Sequence, residues 1–169
     1  MNMERMTLFI AELLITAGLI YTVLTFWRRQ LQKAYFLEST NKAYALFVVM
    51  QILSVLLIVL QGIDPQGLVY MEALTPFGAN ATGFWTCYGF QAIGFLFTYL
   101  VAVILSQVVF KSTFKSANGL YKEISEDNWA PALVAGAITV FFGAIISGII
   151  LRPLLLDWVS RNIGLVPLQ

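Results

Sequence analysis

The sequence has no histidine, a single cysteine and few charges. Lys and Arg number 10, Asp and Glu 9, and together they make up 11% of 169 residues. Without histidine, the commonest general base, haem ligand and zinc ligand are all excluded. Cys87 alone cannot close an internal disulfide. A net charge of +1 rules out the basic face that nucleic acid requires. Ser-His and Cys-His nucleophile arrangements lack their base, and neither a Gly-rich phosphate loop nor a carboxylate-rich metal constellation is written in the chain. A non-enzymatic protein with no cofactor and no nucleic-acid partner is expected. Soluble domains carry roughly a quarter charged residues, so this composition does not belong in water.

What the chain does have is 59% hydrophobic residues, gathered into four apolar stretches at 7–27, 43–60, 84–110 and 129–151. Each is long enough to cross about 30 Å of hydrocarbon as a helix. The expected fold is an all-α integral membrane protein of four transmembrane helices, with the lipid bilayer as its first partner. The first stretch reads as a retained span, because it exceeds a signal core and no Ala-x-Ala site follows it.

Orientation follows from the basic residues, since short loops rich in Lys and Arg stay cytoplasmic. Seven of the ten lie between spans one and two (Arg28, Arg29, Lys33, Lys42) or three and four (Lys111, Lys115, Lys122). The opposite side holds Arg5, Arg152 and Arg161. Both termini are therefore expected outside, with an external loop at 63–83. Trp27, Tyr35, Trp85, Trp129 and Trp158 fall near span ends and read as interfacial anchors.

Asn41-Lys42-Ala43-Tyr44-Ala45-Leu46 recurs 87 positions later as Asn128-Trp129-Ala130-Pro131-Ala132-Leu133, each time opening a span. The chain thus reads as two two-span repeats, 1–62 and 84–169. Because each copy crosses twice, the copies are parallel and related by an axis along the membrane normal. Asn41 and Asn128 are suited to N-caps, where a side-chain oxygen accepts from an unpaired first-turn amide.

Asn41-x-Ala43-x-Ala45-Leu46, and more fully Glu123-Ile124-Ser125-Glu126-Asp127-Asn128-x-Ala130-x-Ala132-Leu133, resemble the YjfL-like bacterial inner-membrane proteins of unknown function, whose short domain often occurs in two copies. The resemblance implies an inner-membrane location and a duplicated architecture. It supplies no reaction and no catalytic residue.

Polar and small residues within the spans are sorted by face. At 100° per residue, Ala132, Gly136, Thr139, Gly143 and Ser147 fall in an arc of roughly 80°. Cys87, Gln91, Gly94 and Thr98 share a similar arc in the third span, as do Gln51, Ser54 and Gln61 in the second. Each stripe requires a protein neighbour, because an amide facing acyl chains leaves its donors unpaired. The neighbour is another helix, or the polar face lines a permeation path.

Glu12 is the one charged side chain inside an apolar span, about a turn and a half from its external end. It is a packing residue that is protonated or hydrogen-bonded, an ion or proton site completed by Gln91 or a partner subunit, or a carboxylate that reaches interfacial water. The cytoplasmic segments join Arg28, Arg29 and Lys33 to Leu31, Tyr35 and Phe36, and Lys111, Lys115 and Lys122 to Phe114, Leu120, Tyr121 and Ile124. They lie on the anionic leaflet or present a docking surface for a cytoplasmic protein, with Asn118-Gly119 breaking the second in two.

Three functions fit. The first is a scaffold subunit that packs with itself or another membrane protein through its small and polar faces. The second is an ion or proton channel or transporter subunit using Glu12 and the intramembrane glutamines. The third is a membrane receptor that recruits a cytoplasmic stress or membrane-remodelling protein through its basic loops.

Overall fold

In a lipid interior every backbone donor and acceptor must be paired within the chain, and an apolar run with few breakers does so as a helix. The computed structural model describes residues 3–35, 41–62, 81–114 and 119–162, and no strand occurs among them. Helix α1 covers Met3–Tyr35, α2 Lys42–Gly62 and α3 Ala81–Thr113. A short α4, Leu120–Ser125, precedes α5, Trp129–Ile146. One π-helical turn, Ser147–Leu151, leads into α6, Arg152–Asn162. Four segments are long and apolar enough to cross a membrane: Phe9–Leu31, Lys42–Gly62, Trp85–Thr113 and Trp129–Trp158. The protein is an all-helical membrane protein with four candidate spans.

The fourth span runs past the expected end at Leu151, through Arg152 and Pro153. Proline cannot donate to the carbonyl four residues earlier, and its ring collides with that carbonyl in a regular helix. The wide turn immediately before Pro153 absorbs the mismatch, so the helix continues.

The centre of the bundle is the seam between α2 and α5, with α3 packed against both. The stripe on α5 is buried in this seam. Ala132, Ala135, Gly136, Thr139 and Gly143 are all inaccessible. A Cβ on Gly136 would lie 2.5 Å from Met50 Cβ, and one on Gly143 2.9 Å from Ser54 Oγ. The neighbour that the stripe needs is therefore the chain's own α2.

Hydroxyl groups reinforce the contact by donating to backbone carbonyls. Ser54 reaches Thr139 O (3.3 Å), Ser147 reaches Ile58 O (2.6 Å) and Ser106 reaches Ala135 O (2.7 Å). Gln61 departs from its expected stripe and is exposed, whereas Gln51 and Ser54 are buried. From Gln51 onward the buried face of α2 runs from Ser54 through Gln51 and Gly62 to Val59, and Gln61 falls just beyond its Ser54 edge.

Helix α1 stands at the periphery. Leu19, Val23, Trp27 and Leu31 pack inward, while Phe9, Leu13, Leu14 and Tyr21 face outward. Trp27 is not the surface anchor that its position near a span end indicates: it is only 2% exposed. By contrast, Trp85 and Trp129 are 58% and 59% exposed, as anchors should be.

The described part of the segment after α3, expected either on the leaflet or as a docking surface, packs apolar side chains against the bundle. Leu120 and Ile124 of α4 belong to the apolar core, and the break before α4 falls at Gly119, whose φ is +76°. Leu120 and Ile124, one turn apart, give this six-residue helix a single buried face that packs against the bundle.

Candidate functional site

One face of α3 carries a run of buried polar groups through the membrane. Cys87, Tyr88, Gln91, Thr98, Tyr99 and Ser106 are each less than a tenth exposed. Their spacings of one, three and seven residues place them within about 120° of one another, on a single helical face. That face meets polar side chains from α1 and α2 in two clusters.

The outer cluster joins Glu12 of α1 to Gln91 of α3. Gln91 Nε2 donates to Glu12 Oε1 at 2.9 Å. Gln91 is 7% exposed, and neither its own Oε1 nor Glu12 Oε2 has a hydrogen-bond partner among the described residues. Two buried acceptor oxygens are thus left without donors in one pair. Tyr88 lies within electrostatic range of Glu12.

The inner cluster ties three helices together. Trp27 Nε1–H donates to Tyr99 Oη (2.6 Å), and the Tyr99 hydroxyl donates to Gln51 Oε1 (2.7 Å). Gln51 Nε2 is buried without a partner among the described residues. Phe47 packs edge-on against Trp27 with centroids 4.9 Å apart, and Tyr121 of α4 lies 5.8 Å away on a tilted ring. Gln107 Nε2 donates to Tyr121 Oη, extending the polar groups to the linker end of the bundle.

Between the clusters the face is apolar and tight. Phe95 is 1% exposed, and its ring lies so close to Gly62 that a Cβ there would be 2.4 Å away. Leu151 closes on Gly94 in the same way, at 2.7 Å. On this face the two clusters are separated by close packing of Phe95 on Gly62 and Leu151 on Gly94.

The caps behave unequally. Asn41 Oδ1 accepts from the Tyr44 amide at 2.6 Å, as an N-cap should, and Asn41 Nδ2 donates to Ile124 O at 2.8 Å. Asn128 occupies the cap position of α5 but makes no side-chain cap bond, which corrects the expectation for that residue. Three residues on, where Asn41 finds the Tyr44 amide, the second copy has Pro131, which has no N–H to cap, and the Asn128 amide donates to Glu123 Oε2 at 2.9 Å. Asp127, in the left-handed region at φ +59°, accepts from the Ala43 amide at 2.8 Å. The linker between α3 and α5 therefore caps α2.

Of the basic residues, Arg28, Arg29 and Lys111 are exposed, and Lys122 pairs with Glu126 at 3.8 Å. The Lys33 side chain and all of Lys115 lie outside the described residues, as does 63–80 of the loop expected at 63–83, whose last three residues open α3 instead. Among the described residues no group of three or more His, Cys, Asp or Glu is placed to hold a metal ion.

Sequence patterning located Glu12, Gln51, Gln91 and Thr98 but missed Trp27, Tyr99, Gln107, Tyr121 and Asp127. Tyr99 lies eight residues from Gln91, about 80° beyond that edge of the polar arc read on α3, so the arc did not reach it.

No curated protein and no solved structure matches the chain. A family model described as a Domain of Unknown Function (DUF350) matches residues 6–150. A match over that much of the sequence shows the family: the chain belongs to DUF350.

Proposed function

We propose that this chain is a non-enzymatic, multi-pass subunit that handles protons or small cations in the bacterial inner membrane, with both termini outside. The YjfL-like kinship and the duplicated two-span plan are part of the same proposal. The observation that carries it is the pairing of Glu12 with Gln91. An ionisable side chain inside a membrane is costly, and it persists where it has a partner and a use. The close packing around Phe95 and Gly94 supports a gated or alternating path rather than an open pore.

Flux in liposomes tests it. Purified protein is expected to carry a proton or monovalent-cation current that Glu12→Gln and Gln91→Leu abolish. A current identical in all three proteins, or none under any gradient, refutes the proposal.

A second reading is an assembly subunit. The stripe on α5 is occupied by α2, so it gives this reading no free surface. The outer face of α1 does: Gly18 has nothing within 4 Å of where a Cβ would sit, and Thr22, one turn on, is exposed and turns its hydroxyl back to Gly18 O at 2.8 Å. Small residues one turn apart let a second α1 approach closely. Gly18→Leu is expected to shift the native size from oligomer to monomer without unfolding the chain.

A further inference from the structure

We infer that Glu12 and Gln91 form an acid–amide pair that binds one proton, so the ligand of the outer site is H+ and not a metal cation. The inference takes the site from the proposed function and names its occupant. A carboxyl and a carboxamide are planar groups of the same shape, and each offers two atoms to the other. One of the two possible bonds is already made, from Gln91 Nε2 to Glu12 Oε1 at 2.9 Å. The atoms that remain are Glu12 Oε2 and Gln91 Oε1, both acceptors and both without a partner.

An ionised Glu12 would leave those two oxygens facing the low-dielectric interior with no donor between them, which is the most expensive arrangement for buried polar atoms. A single proton on Oε2 changes the inventory, because a protonated carboxyl has one O–H donor. That donor has Gln91 Oε1 as its acceptor, and the ring of two hydrogen bonds closes as a neutral pair. When the proton leaves, the Oε2–H bond breaks, the electron pair stays on Glu12 and H+ passes to water at the outer face. Among the described residues, the titratable group that faces Glu12 from a helix packed against α1 is Tyr88 of α3, with Cys87 in turn near Tyr88; α2 brings none to this end.

The pair also holds the outer part of α1. Phe9, Leu13 and Leu14 there are exposed, and the bond to Gln91 ties that turn to α3. Proton loss is expected to loosen it.

Infrared difference spectroscopy of the full chain in nanodiscs reads the proton directly. Wild type is expected to show a protonated-carboxyl C=O band at neutral pH that Glu12→Gln lacks entirely, that vanishes as pH rises, and that NaCl and KCl leave unchanged. Glu12→Gln replaces O–H by N–H and retains both hydrogen bonds, so it folds. It is expected to keep its thermal stability into alkaline pH, where wild type loses it.

Absence of the band at neutral pH, or its removal by Na+ or K+, overturns the inference, the latter in favour of a metal-cation site. A band that behaves as expected in a protein that passes no current sustains the proton pair and removes the transport proposal. A Glu12-dependent current with no band does the reverse.

Discussion

Replacing Gly136 with alanine forces one methyl group into the α2–α5 seam. The added Cβ would lie 2.5 Å from Met50 Cβ and 2.8 Å from Met50 Cγ. A Cγ can rotate away, but a Cβ is fixed to its backbone, so the two helices must separate or bend. Overpacking of this kind costs about 1–3 kcal/mol, and the better helix propensity of alanine returns up to about 1 kcal/mol. Gly89→Ala, on α3, is the matched control: it meets nothing within 4 Å and receives only the propensity gain.

The two variants should therefore differ by about 1–3 kcal/mol, roughly a 5- to 150-fold difference in unfolding equilibrium. SDS-driven unfolding in mixed micelles, followed by tryptophan emission, measures it. The geometry also dictates which second change rescues the first. Met50→Ala keeps the offending Cβ, so Gly136→Ala should remain harmful on that background. Met50→Gly removes it, and the same alanine should then cost nothing. Equal stability of the two alanine variants, or rescue by Met50→Ala as complete as by Met50→Gly, would refute the close approach.

The inner cluster predicts an asymmetry. Tyr99→Phe strips Trp27 Nε1–H and Gln51 Oε1 of their partner and should cost about 1–3 kcal/mol for each orphaned group, with a shift in tryptophan emission. Gln51→Leu also removes an Nε2 that already lacks a partner and should cost less. At the linker, Asn41→Ala loses both the Tyr44 cap and the bond to Ile124 O and should destabilise by about 1–3 kcal/mol. Asp127→Asn keeps an acceptor for Ala43 and tolerates φ +59°, so it should unfold near the wild-type midpoint, whereas Asp127→Val, strained and without an acceptor, should not. Lys122→Gln breaks an exposed pair and should change stability by no more than about 0.5 kcal/mol.

The four spans were legible because bilayer thickness sets a length and lipid forbids any other backbone, leaving composition to do the rest. The α5 stripe was legible for a similar reason: 100° per residue places five small side chains together whatever surrounds them. What covers the stripe was not legible. Periodicity locates a face but does not identify its neighbour, and here the neighbour is α2.

Trp27 shows the limit at the level of one residue. Its ring and N–H suit the headgroup layer and the core equally well, and the choice rests on Tyr99, 72 positions away. Gln91 was singled out for Glu12 because few polar groups share the membrane with it, and scarcity made the pairing readable. Asn128 failed as a cap for a local reason: Pro131 stands where the capped amide would be, and residue preference at the cap position alone does not register that. Asp127 gave no sign at all, because its role depends on a left-handed backbone conformation.

The bond from Ala43 to Asp127 bears on how the protein is made. The first turn of α2 obtains its acceptor from a residue synthesised 84 positions later. On the ribosome, the leading hairpin must enter the bilayer with that amide still open to water. The ribosome must finish the trailing linker before the earlier segment can settle. Release of a nascent chain before Asp127 would leave the front half inserted but loosely ended, and membrane quality control would meet it in that state.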